Sequence, residues 1–515
     1  MSVVLPVAIS APVVAAAPTP APAKPVVFGS RIAIGLCGVL LAVLVAGLNE
    51  NITKIALADI RGGMGIGRDE ASWMVALYAA ASVSAMAFAP WCAATFSLRR
   101  FTLVMIGAFM LLGLLCPLAP DLSSLLLLRT LQGLAGGALP PMLMTVALRF
   151  LPAGVKLYGL AAYALTATFG PSMGTPLAAF WMEYANWRWT FWQIIPPSLL
   201  AMYAIAWGLP QDPLRLERCR QFNWRGLLSG LLAICSLTIV LMEGERLDWF
   251  SSPLICGLFG AGIASGVLFM INEWFHPLPF FKLQLLANRN LTHALITLGG
   301  VLIVLVAASM IPSAYLAQVH GYRPLQTAPM LLLVALPQLV VLPMVAALCN
   351  LRAVDCRWVL ASGLALLALS CYFGSTMTVE WTRDNFYVLQ SLQIFAQPMA
   401  VIPLLMLATG GLQPQDGPFA SAWFNTVKGF SAVLAGGVLD ALITARNHFH
   451  STVLAERLGN LFPNFEGASW AHRLHRQVVV LTSADLYLCM AGLSLVLIFL
   501  IPMLATRIYP PRAVL

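Results

Sequence analysis

Residues 31–48 read RIAIGLCGVLLAVLVAGL, an apolar run whose only charge stands at its first position. About 20 apolar residues are enough for a helix that crosses the ~30 Å hydrocarbon core of a bilayer. Similar stretches recur along the whole chain of 515 residues, and most connections between them are short. Hydrophobic residues make up 60% of the sequence and charged residues 10%, so we predict an all-α polytopic membrane protein.

The apolar stretches predict fourteen transmembrane helices, numbered spans 1 to 14 in chain order. They form one membrane bundle in place of the several soluble domains that a chain of this length suggests. The predicted spans are 31–60, 72–90, 100–118, 121–145, 155–181, 188–208, 225–242, 252–271, 290–318, 324–348, 355–374, 386–409, 417–445 and 483–506.

The formal net charge of +9 reflects membrane topology rather than nucleic-acid binding. Lys and Arg side chains concentrate in the connections that we assign to the cytoplasm, as at Arg99, Arg100 and Arg149, and are fewer in the outer connections. Such an excess marks the cytoplasmic side of a membrane protein. We therefore predict that both termini are cytoplasmic, and we expect no nucleic-acid partner.

The sequence gives no support for cofactor or metal chemistry. The ten cysteines fall in spans or on the predicted cytoplasmic side, and no CxxC pair is present. The phosphate-binding pattern G-x-x-x-x-G-K-[ST] is also absent, which disfavours ATP-driven pumping by this chain. We interpret the histidines of the outer loop as polar faces of helices and expect neither a metal nor a cofactor; they are His448, His450, His472 and His475.

Two similar halves surround an insert. The tight basic turn at residues 96–100, after span 2, has a counterpart at residues 351–357, after span 10. Repeated halves around a midplane site are the common build of secondary transporters. We divide the chain into a disordered cytoplasmic tail (1–30), an N-terminal six-helix bundle (31–210), a linker with two inserted helices (211–285) and a C-terminal six-helix bundle (286–515).

The long outer loop at residues 446–482 lies within the C-terminal bundle. Its apolar residues are spaced as on a helix, and Pro463 interrupts the pattern. We predict two amphipathic helices broken at residues 462–464. They either extend span 13 into the periplasm or lie on the membrane surface.

Span 1 carries the densest polar cluster. Glu50 and Lys54 are four residues apart and share a helix face, with Asn49 and Asn51 beside them. A carboxylate inside a membrane usually faces a bundle interior or a water-filled cavity. Glu50 is therefore a candidate for proton coupling and the two asparagines for the substrate cavity. A wetted, purely structural cluster at the helix end is the alternative.

Span 4 contains Arg129, Gln132 and Gly133 in close succession. A guanidinium in a membrane span must find an acceptor, so Arg129 is a second proton-coupling candidate, with a structural helix-start arginine as the alternative. Gly133 permits close helix approach and belongs to a candidate conformational motif. Gln132 is a candidate for the cavity.

Span 5 supplies the rest of the candidate conformational motif. Gly170, Pro171 and Gly174 precede Pro176, and two prolines in so short a stretch interrupt the helix ladder and predict a kink. Further polar residues fall inside other spans. They are Asp440, a third proton-coupling candidate, and the cavity candidates Gln318, Gln393 and Gln397.

These motifs resemble the signature series of the major facilitator superfamily. The residues are Arg129-x-x-Gln132-Gly133, Gly170-Pro171-x-x-Gly174 and Trp187-Arg188-Trp189-x-Phe191. Fourteen spans resemble its drug:proton antiporter branch of the EmrB/QacA type. The resemblance implies two six-helix bundles plus two inserted helices, a proton-relay role for Arg129, and an antiporter motif that bends span 5.

The chain departs from the pattern in two places. Asn49 stands where span 1 of the family carries an acid, and Glu50 points about 100° away from it around the helix. The loop after span 2 holds Thr95 at the family's charged position and lacks both glycines. That loop gates cytoplasmic closure in the family, so the resemblance makes Arg99 and Arg100 candidate gate residues.

The resemblance implies a proton-coupled exporter of amphipathic organic compounds in a bacterial inner membrane. The small substrate, protons and the lipid bilayer are its expected partners, and a periplasmic adaptor with an outer-membrane channel is a further candidate. The cavity is expected between spans 1, 4, 5, 9 and 12. A dedicated exporter of one metabolite, such as a siderophore, and a transport-inactive, sensor-like protein are the alternatives, whereas no motif supports an enzyme.

Overall fold

A computed structural model describes residues 29–351, 353–410, 416–461 and 468–504, and this part of the chain is almost entirely helical. The predicted tail, apart from its last two residues, lies outside the described residues. So does the break predicted at residues 462–464. Long apolar stretches without competing turn signals explain the helices, because in a bilayer each helix satisfies its own backbone hydrogen bonds.

The N-terminal half pairs long helices with short connecting ones. Pro140 and Pro141 follow Ala138 and start a second segment of the same path, because proline is tolerated in the first turn of a helix. The helices are α1 (Ser30–Ile55), α2 (Leu57–Met64), α3 (Arg68–Phe96), α4 (Leu98–Leu115), α5 (Leu122–Gly137), α6 (Leu139–Phe150), α7 (Ala153–Tyr184), α8 (Trp189–Trp192) and α9 (Ile195–Gly208).

The insert consists of two helices, α10 (Trp224–Glu243) and α11 (Pro253–Phe275), after a short 3-10 turn at Leu216–Gln221. The side chain of Asn223 accepts a hydrogen bond from the amide of Gly226 and so caps α10. Helix α10 packs against α3 of the first half and α16 of the second, whereas α11 packs mainly against α10.

The C-terminal half contains six long helices. Gly321, in the left-handed conformation at φ +68°, ends the first of them, as is common for a glycine after a helix. The helices are α12 (Arg289–His320), α13 (Pro324–Cys349), α14 (Cys356–Gly374), α15 (Arg383–Thr409), α16 (Gly417–Leu461) and α17 (Ala468–Leu500).

Twelve helical units of the described chain are long and apolar enough to cross a membrane. The fifth and sixth predicted spans correspond to α7 and to α8 with α9, which are not among those twelve. The predicted all-α polytopic membrane architecture is thus confirmed. Fourteen crossings are consistent with these helices, but the number stays a prediction.

The two halves meet mainly along two pairs of helices, α7 with α13 and α3 with α16, with smaller contacts of α7 with α15 and of α6 with α16. Successive long helices run antiparallel, so their ends alternate between two faces of the bundle. We call the face at which α1 begins the tail side and the opposite face the mouth side.

Helices α16 and α17 extend beyond the rest of the bundle on the mouth side. With 45 residues, α16 is about 68 Å long, roughly twice the thickness of the hydrocarbon core. Asp485 of α17 accepts hydrogen bonds from Arg446 and His450 of α16, which ties the two helices together. Of the two arrangements considered for the outer loop, the structure has helices that continue the last two spans.

Candidate functional site

A cavity of about 600 Å³ lies between the two halves. Its walls come from α1, α3, α7, α10, α12 and α16, with single contributions from other helices. Of the predicted walls, spans 1, 5 and 9 line the cavity extensively, span 4 contributes Gly136 and Pro140, and span 12 contributes only Gln397. The contributions of spans 2, 7 and 13 were not predicted. Apolar side chains dominate the α10 and α12 walls, so the cavity suits a largely apolar compound.

The cavity contains an ion pair from span 1. Lys54 Nζ donates to Glu50 Oε1 at 2.7 Å, and the two side chains are 39% and 27% exposed. Helix α1 places both on the face that lines the cavity, as the four-residue spacing predicts. Asn51 lines the cavity as well, and its amide donates to the backbone oxygen of Gly47.

Arg129 is buried outside the cavity, with 1% of its surface exposed. Its Nη1 donates to Gln132 Oε1 at 2.6 Å, and its guanidinium stacks over the ring of Tyr78 at 4.2 Å and faces Phe191 at 5.5 Å. No carboxylate of the described chain pairs with it, although Glu50 lies within electrostatic range. A buried guanidinium held this way by an amide and two rings keeps its orientation.

The remaining polar candidates separate into two groups. Gln397 and Asp440 line the cavity, and Asp440 is exposed near its mouth. Four others do not line it. Asn49 is fully buried beside Tyr78, Gln132 holds Arg129, Gln393 donates to Ser370 at 3.0 Å, and Gln318 is exposed on the surface.

The candidate glycine motif lies at helix contacts around the cavity. A Cβ on Gly133 would meet the backbone oxygen of Tyr78 at 2.4 Å, and one on Gly174 would meet Asn51 Cβ at 2.7 Å. At Gly170 the nearest atom would be 3.8 Å away, which is ordinary contact. Helix α7 continues without interruption through Pro171. Gly133 thus sets how closely α5 approaches α3, and Gly174 sets how closely α7 approaches α1.

Lys428 of α16 is a cavity residue that the sequence reasoning missed. Its Nζ donates to Thr166 Oγ1 at 3.0 Å and lies 4.8 Å from the ring centre of Tyr163. Within the described chain no carboxylate is close enough to form an ion pair with it, and Glu50 acts on it only at a distance. The sequence contains a signal for it, because Lys428 is an ionisable residue inside predicted span 13 and such residues mark functional sites in membrane proteins.

A buried plug closes the tail side of the cavity. Tyr163 Oη donates to Asn425 Oδ1 at 2.8 Å, and Tyr163 packs edge-on against Phe424 at 5.9 Å. Ser421 Oγ donates to the backbone oxygen of Pro141 at 3.0 Å. Tyr163 and Pro141 belong to the N-terminal half and the other three to the C-terminal half. The plug therefore joins the halves, and it must separate for the cavity to open toward the tail side.

A second pocket of about 510 Å³ lies beyond the plug on the tail side. Four basic side chains line it, namely Arg149, Lys156, Arg215 and Arg218, together with the single acid Asp212, a formal balance of +3. Arg149 donates to both oxygens of Asp212, at 2.6 and 2.8 Å. Burial and the neighbouring Arg215 lower the pKa of Arg218, so like charges are crowded here.

The candidate gate residues Arg99 and Arg100 stand in the first turn of α4, a helix that begins directly after Ser97 at φ +76°. Neither lines the tail-side pocket, and among the described residues neither forms an ion pair. The backbone amide of Arg215 instead donates to the backbone oxygen of Thr95, in the last turn of α3. A backbone hydrogen bond thus joins the linker to the end of α3, next to the loop between spans 2 and 3.

The insert contributes directly to the cavity through Leu241 and Met242. A Cβ on Gly437 would meet the backbone oxygen of Leu241 at 2.4 Å, so α10 and α16 pack closely here. Glu243, 1% exposed, accepts from Ser72 at 3.1 Å and from Arg246 at 2.5 Å. The bond from Ser72 fixes the end of α10 to α3.

Comparison with protein families matches residues 39–436 to the model described as Major Facilitator Superfamily. The Multidrug export protein EmrB of Escherichia coli (strain K12) is 23% identical, and the alignment covers 92% of this chain and 95% of EmrB. The Probable multidrug resistance protein EmrY of the same strain is 24% identical over 83% of each chain.

Among solved structures, the crystal structure of the human organic anion transporter MFSD10 has a TM-score of 0.59 at 13% identity. The match covers 92% of this chain and all of that one. Identity at this level shows a shared fold and nothing about the compound that is transported.

Proposed function

Because this chain belongs to the Major Facilitator Superfamily, it is a membrane transporter rather than an enzyme, and we propose that it exports amphipathic organic compounds, drugs or toxic metabolites, from the cytoplasm. The central cavity is the observation that carries this proposal. It lies between the two halves, combines apolar walls with an ion pair, and is closed toward one face by a plug made from both halves. The name of EmrB, a multidrug export protein, supports the same direction and substrate class, and the multidrug name of EmrY supports the substrate class.

The plug fits one state of an alternating-access cycle. With the tail side in the cytoplasm, as the charge bias of the sequence predicts, the cavity is closed to the cytoplasm and faces outward. Export then requires a second state in which Tyr163 separates from Asn425 and the mouth side closes. The two half-to-half helix pairs, α7 with α13 and α3 with α16, are the surfaces on which the halves rock.

Inward proton flow is the proposed driving force, with Glu50 as the coupling carboxylate. Protonation neutralises Glu50 and releases Lys54, so the proton changes the charge of the cavity wall. Tyr78 lies between this pair and Arg129, which acts as a positioning residue through the Tyr78 ring and Gln132. Asp440 is a weaker coupling candidate, because it is exposed near the mouth and stays in contact with water.

The proposed location is the bacterial inner membrane, with both termini in the cytoplasm. The mouth side then faces the periplasm, and the extended helices α16 and α17 project there. We propose this projection as the contact for a periplasmic adaptor and, through it, an outer-membrane channel. The ion pair of Arg446 with Asp485 holds the two helices in register for such a contact.

The experiment that tests export is transport by purified protein in liposomes with an imposed pH gradient. Uptake of at least one dye from a panel of lipophilic anions and cations, such as fluorescein and ethidium, into vesicles with an acidic interior is expected when the gradient is present. Dissipating the gradient with a protonophore stops it. Equal uptake with and without the gradient refutes proton-driven export, and an absence of uptake for a panel of dyes and metabolites refutes the substrate class.

A further inference from the structure

Lys428 differs from every other charged residue of the cavity in its partners. Lys54 and Glu50 form an ion pair with each other, and Asp440 stands at the wide, wetted mouth. Lys428 instead lies next to the plug, held by the Thr166 hydroxyl and the Tyr163 ring. Both contacts favour a charged ammonium, and neither neutralises it.

The helix that faces Lys428 presents hydroxyl groups to the same space. Thr166, Thr168 and Ser172 of α7 all line the cavity. Thr168 is 3% exposed, and its hydroxyl has no hydrogen-bond partner among the described residues. A buried hydroxyl without a partner is costly unless a ligand or water satisfies it. The deep end of the cavity therefore offers one cation and an unused hydroxyl.

The opposite wall is apolar. It is formed by long flexible or aliphatic side chains of α3, α12 and α16, which adapt to different shapes. A compound with one charged end and an apolar body can thus place its charge at Lys428 and its body against this wall. These wall residues are Met86, Leu302, Leu305, Met310 and Val433.

Building on the proposed export function, we propose that this cavity binds amphipathic organic carboxylates, with the carboxylate held by Lys428 and the α7 hydroxyls. The basic tail-side pocket, with its formal balance of +3, attracts the same anions on the other side of the plug. Since Tyr163 contacts both Lys428 and Asn425, a carboxylate that draws Lys428 away from the ring also acts on the plug.

The test compares three probes of similar shape and different charge, namely phenylbutyrate, phenylbutylamine and phenylbutanol. Their binding to the purified full-length protein is measured by calorimetric titration at neutral pH. The wild type is expected to prefer phenylbutyrate. Lys428→Gln is expected to weaken phenylbutyrate binding by about tenfold or more and to change phenylbutanol binding by less than about twofold, because only the charged contact is lost.

Lys428→Arg keeps the cation and is expected to retain most of the preference. Lys282→Gln is the matched control, because Lys282 pairs with Asp416 outside the cavity. The inference is overturned when the wild type binds phenylbutylamine at least as well or binds none of the probes, or when Lys428→Gln weakens all three equally or none. The export proposal is tested separately by gradient-driven dye transport. If that transport is observed while the binding results above go against the inference, the proposed function stands and only the carboxylate site is refuted.

Discussion

Tyr163 of α7 and Asn425 of α16 join the two halves through a hydrogen bond of 2.8 Å in the buried plug. Both residues are almost fully buried, at 1% and 0% exposure, so the bond has no water to compete with it. The amide of Asn425 also donates to the backbone oxygen of Ser421 at 2.8 Å, which leaves its oxygen aimed at Tyr163. This hydrogen bond therefore stabilises the closed state of the tail side, together with the bond from Ser421 to Pro141 and the packing of Tyr163 on Phe424.

Removing that hydroxyl is expected to favour the state that is open to the tail side. Tyr163→Phe leaves the Asn425 oxygen buried without a donor, at a cost of about 1–3 kcal/mol to the closed state. The change is measured as the rate at which a membrane-impermeant maleimide, added on the mouth side, labels the cysteine of Ser172→Cys. The native cysteines are replaced in this chain. Labelling is expected to slow at least about twofold. Tyr158→Phe, at an exposed position of the same helix, is expected to have no effect, and equal rates for both variants contradict the role of the plug.

Gly133 is expected to be intolerant of even one methyl group. A Cβ there would lie 2.4 Å from the backbone oxygen of Tyr78, and a backbone cannot move aside as a flexible side chain can. Gly133→Ala should lower the free energy of unfolding by about 1–3 kcal/mol. Thermal unfolding of the purified protein measures this. At Gly257 of α11 a Cβ meets nothing within 4 Å, so Gly257→Ala should leave the melting temperature unchanged or raise it.

Arg129 is expected to affect coupling and not binding, because it lies outside the cavity. Arg129→Lys keeps the charge but loses the planar fork toward Gln132 and the stacking on Tyr78. Proton movement per transported substrate should fall by about tenfold or more, while the Kd of the substrate changes by less than about twofold. Arg188→Lys, at a ring contact on the mouth side, is the control. A parallel loss of binding and coupling places Arg129 in substrate recognition instead.

Asp440→Asn is expected to retain most of the coupling. Asp440 is exposed at the mouth, and no described residue forms an ion pair with it, so its replacement by Asn breaks no ion pair of the described chain. Substrate-driven proton movement in liposomes should stay within about twofold of the wild type. A complete loss in Asp440→Asn moves the coupling site from α1 to α16.

The membrane architecture could be predicted from the sequence because hydropathy and helix length carry nearly all of that information. The stretch at residues 31–48 became α1, and every other predicted span has a helical counterpart in the described chain. The close approach at Gly133 also followed from local sequence. The continuity of α16 to Leu461 did not, because the same amphipathic pattern fits a helix on the membrane surface.

The cavity could be predicted only in part, since its composition depends on which helices meet. Glu50 with Lys54 followed from the helix period, and the Arg129 contact with Gln132 has a similar local spacing. The contribution of Met242 from the insert could not be predicted from local sequence, because it depends on how α10 packs between the halves. Lys428 was missed for a different reason, since a single lysine hardly changes the hydropathy of a long apolar span.

The central claim, a proton-coupled exporter with Glu50 at its coupling site, is tested most directly by substrate-dependent proton release from purified protein in liposomes. The wild type is measured beside Glu50→Gln, which keeps the size and polarity of the side chain and removes its titratable proton. We predict proton release on substrate addition for the wild type and none for Glu50→Gln, with the substrate still bound. Proton release by Glu50→Gln at the wild-type level, or transport by the wild type without proton movement, would contradict the account.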